Sequence, residues 1–245
     1  MIIEPGITVG SGISINKDPS VFVTSGLQFN LDVAPSSGTT WADSSGNGYN
    51  ATLQGSPSYV SNNGGGIKLN NSSAATGTDY ISVPYNISSN TVTIEIVASF
   101  NPTSYWATIW GNEVYNTGRG YFATMISSST SISYGKPTAP AAKTITASNS
   151  IRQWYFIING TSQEIYLNNA KLGTTDTVTT QTLFATNNFY FGSRHANDGT
   201  GATDKMNNSS SSLQPVFYQM RLYNKVLSAS ERTQNYDAIK STYGI

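Results

Sequence analysis

Short runs of alternating apolar and polar residues, cut by Gly, Asn, Ser and Pro, recur from Val21 almost to the end of the chain. This rhythm constrains the fold more than any other feature. In Gly26-Leu27-Gln28-Phe29-Asn30-Leu31-Asp32-Val33 the residues Leu27, Phe29, Leu31 and Val33 share one face at a period of two. Comparable runs cover 66–69, 80–84, 91–100, 108–110, 120–126, 154–159, 164–169, 188–192 and 215–223. No helical segment separates them, and parallel pairs need crossovers, so the pairing is expected to be antiparallel. The pattern predicts an all-β sandwich, and 245 residues suit one such domain. One helix is expected near the end. Ser228-Ala229-Ser230-Glu231 fits a capping box, Thr233, Tyr236, Ile239 and Lys240 follow at helical spacing, and Gly244 supplies a stop. Tyr236 and Ile239 are expected to cover one end of the sandwich.

Residues 1–20 read differently. Gly6-Ile7-Thr8-Val9 is echoed by Gly12-Ile13-Ser14-Ile15, an extended pattern with one apolar face. Such a segment builds no core alone and must add to a sheet edge. It is either the first strand of the domain or an arm that docks on another subunit through Ile7, Val9, Ile13 and Ile15. The organisation expected is an extended N-terminal arm, 1–20, and a sandwich domain, 21–245. The start lacks the basic and apolar regions of a secretory signal, and no apolar run reaches membrane-spanning length.

Composition narrows the function. Thirteen basic and thirteen acidic side chains cancel, and 11% of positions are charged against a usual share of about 25%. Such a surface attracts phosphate backbones and anionic lipid poorly, so neither nucleic acid nor membrane is an expected partner. The absence of Cys excludes disulfides, thiolate catalysis and cysteine–zinc sites. A 38% hydrophobic share is enough for a sizeable core.

Several segments resemble a known family. Gly26 to Asp32, then Trp41-Ala42-Asp43-Ser44-Ser45-Gly46-Asn47-Gly48-Tyr49-Asn50-Ala51-Thr52-Leu53, are similar to the opening of a laminin-G-like jelly roll of the concanavalin A-like lectin/glucanase superfamily. Glu164-Ile165-Tyr166-Leu167-Asn168-Asn169-Ala170-Lys171 resembles that family's tyrosine–x–asparagine–glycine hairpin, with Asn169 where glycine is commoner. Phe217 to Ser228 is similar to its last strand, and the turn and closing helix match as well, so the resemblance spans 27–245. It implies an antiparallel jelly-roll β-sandwich. The ending 235–245 and the Gly-Ile-Thr-Val opening look like versions carried by tailed-bacteriophage structural proteins. The resemblance therefore implies a virion component (a decoration, fibre or appendage protein), assembled in the host cytoplasm and released by lysis. Its partners would be other virion proteins and copies of itself, a trimer being the expected homo-oligomer.

The residues bear differently on each chemistry. A retaining glycosidase needs two carboxyl groups about 5 Å apart. Related glucanases carry them at alternate positions of one strand, but here Thr93-Ile94-Glu95-Ile96-Val97 holds one carboxylate, and Glu113 and Glu164 stand on separate segments. The lone histidine, His195, and the absence of a nucleophile elbow argue against a triad. The chain is accordingly expected not to be an enzyme and to need no cofactor. The turn Asp43-Ser44-Ser45-Gly46-Asn47-Gly48 is either an Asx-turn or, as the alternative, a calcium loop with Asp43 and Asn47 as ligands. Sugar binding would use aromatic faces with amides and hydroxyls. Around 105–116 the Trp residues read as core, with Tyr121 and Tyr134 approaching the same surface. Tyr105, Asn112, Tyr115 and Arg119, with Arg194, His195 and Asp198 of a second loop, are the candidates for contact with a glycan or a neighbouring subunit. The expected function is thus a non-enzymatic virion protein displaying a lectin-like domain that holds host-surface polysaccharide. The alternatives are a carbohydrate-binding module of a bacterial surface protein and a polysaccharide depolymerase.

Overall fold

The computed structural model describes residues 21–73, 75–100, 107–112, 120–126, 131–135, 141–145, 148–177, 188–195, 202–208 and 213–245. The expected arm, with Ile7, Val9, Ile13 and Ile15, lies outside them. In chain order the strands are β1 (Leu27–Leu31), β2 (Thr40–Trp41), β3 (Ala51–Gln54), β4 (Ser58–Val60), β5 (Gly66–Lys68), β6 (Tyr80–Val83), β7 (Thr91–Phe100), β8 (Ala107–Gly111), β9 (Phe122–Ile126) and β10 (Ser131–Gly135). They continue with β11 (Ala141–Thr144), β12 (Ser148–Asn159), β13 (Ser162–Leu167), β14 (Ala170–Lys171), β15 (Asp176–Thr177), β16 (Phe189–Phe191), β17 (Arg194–His195), β18 (Ala202–Thr203) and β19 (Val216–Tyr223), and one helix, α1 (Ala229–Tyr243), closes the chain.

Two antiparallel sheets form the sandwich. The first runs β14-β13-β12-β7-β19-β5-β4, with β1 also beside β19 and β15 beside β13. The second runs β11-β10-β9-β8-β16-β6-β3-β2, and β17 and β18 make a separate hairpin. Period-two alternation supplies the core. Val92, Ile94, Ile96 and Ala98 of β7 turn inward beside Trp154, Phe156 and Ile158 of β12. Trp110 stacks on Phe189 with centroids 5.5 Å apart, and Phe100 stacks on Trp154 at 5.3 Å. Each such pair adds about 0.5–1.5 kcal/mol beyond its buried area. Trp41, Trp110 and Trp154 are all core residues, and a bulge in β8 between Thr108 and Trp110 brings Ile109 inward as well. Tyr121 and Tyr134, expected near the surface, are buried, because Tyr121, just before β9, and Tyr134 of β10 both pack into the main core cluster. In the β13–β14 hairpin Asn168 (φ 46°) and Asn169 (φ 62°) both adopt the left-handed region. A two-residue turn demands this, and Asn tolerates it better than other non-glycine residues, so Asn169 replaces the commoner glycine without breaking the hairpin.

The helix starts and stops as its sequence dictates. Glu231 N donates to Ser228 Oγ, Glu231 Oε2 accepts from Ser228 N at 2.9 Å, and Gly244 caps the other end at φ 67°. Its seat differs from the expectation. It lies on the outer face of the first sheet, not over an end, and its buried residues are Arg232, Asn235 and Ile239, with Tyr236 only half-buried.

Asn235 explains the seat. The outward residues of the first sheet include Glu95 (β7), Gln153 and Tyr155 (β12) and Arg221 (β19), all buried. Glu95 Oε1 accepts from Gln153 Nε2 at 2.7 Å and from Arg221 Nη1 at 3.3 Å, while Glu95 Oε2 accepts from Asn235 Nδ2 at 2.8 Å. Asn235 Oδ1 in turn accepts from Val23 N at 2.8 Å, so one carboxylate ties the helix and the entering chain to the sheet. Burial alone would lower the Arg221 guanidinium, but the Glu95 charge reverses this and holds it above its ordinary value.

Removing one member of a buried ion pair strands the other, which costs about 3–5 kcal/mol. Glu95→Ala is expected to lower the unfolding free energy by that amount, read as a lower urea midpoint with the slope unchanged. Asn235→Ala should lower it less, and the double variant should fall short of the sum. Full additivity in urea titrations of the three variants would contradict the network.

Candidate functional site

The outer face of the second sheet carries a broad polar surface. Registers across it align Thr40 (β2), Thr52 (β3), Ser82 (β6), Tyr190 (β16), Gly111 (β8) and Phe122 (β9) on one outward rung. The rung falls into two halves. Over β8, β9 and β16 lies the β17–β18 hairpin, and Gly111 has no side chain because Arg194 crosses there: a Cβ would meet Arg194 Cβ at 2.9 Å. Arg194 then reaches over the Phe122 ring at 5.2 Å, and its Nε (2.8 Å) and Nη2 (2.5 Å) both donate to Asp204 Oδ2. His195 stacks on Tyr190 at 4.1 Å, and its Nε2 lies 2.7 Å from the Asn188 carbonyl.

The other half is open. Thr40, Thr52 and Asn188 are exposed, and Gln54 and Tyr80 are half-buried. Asn188 Nδ2 donates to Ser82 Oγ at 3.2 Å, and the Tyr80 ring leans on Tyr190 with centroids 5.0 Å apart. The result is a step: a floor of hydroxyls and amides ending at an aromatic riser made by Tyr80, Tyr190 and His195. Burial raises both phenols, Tyr190 to about 12, where Tyr80 adds to the effect, so both stay neutral O–H groups at ordinary pH. With Arg194 neutralised by Asp204, the step carries no net charge.

Other expected residues take structural posts. Asn112 is buried at the mouth of the β8–β9 hairpin, where its Oδ1 accepts from Tyr121 N (2.8 Å) and its own N donates to Tyr121 O (3.0 Å). Arg194 and His195 are likewise packed, contributing to the riser from behind. Tyr105, Tyr115, Arg119 and Asp198 lie outside the described residues, as does Glu113. The calcium candidate is a closed turn. Asp43 Oδ1 accepts from Asn30 N and Ser45 N, and Oδ2 from Tyr49 N and Ser45 Oγ, all at 2.9 Å. Asn47 Nδ2 donates to the carbonyls of Leu27 and Gln28. Burial would raise the Asp43 carboxyl, yet these N–H donors outweigh it and hold it below its usual value. Four donors occupy the four acceptor sites of the carboxylate, which is the chemistry of an Asx-turn. Among the described residues no three His, Asp or Glu side chains gather as metal ligands do.

Two of the carboxylates that bear on hydrolysis, Glu95 and Glu164, are also engaged. Glu95 is sealed under the helix. Glu164 accepts from Lys171 Nζ (2.6 Å), Thr175 Oγ1 (2.7 Å) and Tyr166 Oη (2.8 Å). Burial pushes its carboxyl up, but these donors prevail and bring it down to about 2, the opposite of what a general acid requires. The open step itself was not singled out in the sequence. Its signal was present in the 80–84 and 188–192 alternations, where Ile81, Val83, Phe189 and Phe191 turn inward and leave Tyr80, Ser82 and Tyr190 outward.

Comparison with known proteins fixes the fold. No family model matches the chain, and no curated protein matches it in sequence. Among solved structures, the receptor-binding domain of botulinum neurotoxin C/D mosaic serotype is similar at TM-score 0.64 and 14% identity, over 88% of this chain and 52% of that one. Trypanosoma rangeli sialidase, solved with sialic acid, gives 0.64 and 13% over 88% of this chain and 33% of that one. The botulinum neurotoxin type G receptor-binding domain gives 0.61 and 14%, over 86% and 51%. The chain thus spans about half the length of the toxin domains and a third of the sialidase, and it shares with them a jelly-roll β-sandwich fold.

The Glu164 cluster sets a pH dependence. Its folded value lies below the unfolded one, so its stabilising contribution is present above about pH 4.3, the unfolded value, and is lost as pH falls toward about 2. Thermal melts of wild type and Glu164→Gln should differ at pH 7 and converge by pH 2. A constant difference across that range would contradict the assignment.

Proposed function

We propose that the chain is a non-enzymatic, glycan-adhering jelly roll displayed in many copies on a tailed-phage particle. The observation that carries the adhesive part is the open step on the second sheet. A floor of Thr40, Thr52, Gln54, Ser82 and Asn188 offers hydroxyl and amide partners, and the half-buried Tyr80 offers a ring face to sugar C–H groups. No carboxylate stands among these residues, and the step is neutral, which suits an uncharged polysaccharide. Binding at such a shallow surface is weak per site, so a homo-oligomer supplies avidity. The particle assignment is supported by the phage-like ending at 235–245 and by the extended apolar alternation of 1–20, which would anchor the domain to other virion subunits.

The adhesive part is tested on a glycan array with the protein clustered on beads. Tyr80→Ala, or Thr52→Lys at an exposed floor position that leaves the core intact, is expected to reduce retention at least tenfold, equivalent to about 1.4 kcal/mol. Retention of no glycan above background, or retention by both variants equal to that of wild type, would sink it. The particle part predicts that the chain is found by mass spectrometry in purified virions and that a variant lacking residues 1–20 is not incorporated. Failure of either leaves the adhesive reading to stand alone.

A further inference from the structure

A second recess lies on the opposite sheet, where α1 ends. The helix covers the middle of the first sheet's outer face, and Tyr243 packs on Tyr218 with centroids 5.7 Å apart. Beyond it the strands are uncovered, leaving a groove of about 270 Å³. Its floor is one cross-strand rung: Lys68 of β5 is opposite Val216 of β19, which is opposite Ser99 of β7. Val60 and the ring of Tyr218 form an apolar wall, and Asn149 and Gln214 bring amides to the rim.

Three features define what this recess would accept. Its volume, just below the about 300–1,000 Å³ of drug-sized pockets, admits one pyranose-sized ring rather than a peptide or lipid chain. Among the described residues the Lys68 ammonium makes no hydrogen bond or ion pair, and the groove lining contains no carboxylate to neutralise it. The Gln214 side chain, 9% exposed, has its orientation fixed by donation from Nε2 to the Asn208 carbonyl at 2.6 Å, which keeps that edge of the groove in place. A compact ammonium, amide and serine groups and an aromatic wall together match a polyhydroxylated ring bearing one carboxylate.

We propose that this groove binds a single acidic sugar residue, its carboxylate on Lys68 and its ring against Tyr218. The site is independent of the neutral step, which lies on the other sheet. The test is amide NMR titration of the whole chain with D-glucuronate, D-glucose and inorganic phosphate. Glucuronate is expected to shift the amides of Lys68, Ser99 and Val216 saturably, and glucose to bind at least tenfold more weakly. Phosphate is expected not to displace glucuronate at equal concentration. Lys68→Gln should weaken glucuronate binding at least tenfold, and Ser99→Leu, which fills the floor, should abolish it. Tyr80→Ala, on the opposite sheet, should leave it unchanged. Equal affinity for glucose would remove the role of Lys68, and displacement by phosphate would reduce the groove to a simple anion site. Either result, or shifts that persist in both groove variants, overturns the proposal. None of these outcomes bears on the step.

Discussion

Glu95 is the charge around which the outer layer is organised. It sits mid-strand in β7 with no solvent contact, and an isolated carboxylate there would be prohibitively costly. Gln153, Arg221 and Asn235 offset that cost from a neighbouring strand, a second neighbouring strand and the helix. Because these bonds are directional, they admit one seating of α1, whereas a purely apolar contact would tolerate sliding. The helix therefore holds a fixed place beside Tyr218, and the recess at its end has a fixed shape.

The strands were legible because period-two alternation is a local property, and so was the helix, because capping chemistry is contained within four residues. The seat of the helix was not. In Thr93-Ile94-Glu95-Ile96-Val97 the alternation turns Glu95 away from the core, but its burial depends on Arg221 and Asn235, 126 and 140 positions away. The same limit applies to the surface residues. Arg194 and His195 read as loop groups, and only the registers of β6, β8 and β16 bring them over Gly111 and Tyr190. The Asp43 turn sits at the opposite extreme. Its Asx character lay in its own six residues, while the bond from Asn30 N joins it to β1.

The two outer faces differ in electrostatic character for a compositional reason. Only 11% of the residues are charged, and among the described residues six cations are set against carboxylates, Arg194 with Asp204 and Lys171 with Glu164 among them. One face is consequently a neutral field of hydroxyls, amides and phenols. On the other, the Lys68 ammonium stands beside an apolar wall with no carboxylate in the groove lining. In so uncharged a chain, one uncompensated ammonium changes what a whole surface will attract.

Pairing of β1 with β19, and the bond from Val23 N to Asn235 212 positions later, give the domain an unusual order of events at birth. A ribosome reading at roughly 5–20 residues per second must release nearly the entire chain before this seam can shut. Until then β7 has neither its central neighbour nor its buried countercharge. Nascent chains are therefore left with open hydrophobic edges during synthesis, and contacts of such long reach make the final closure slow. Cells making large amounts of this protein would face their greatest aggregation hazard in the seconds before β19 and α1 emerge.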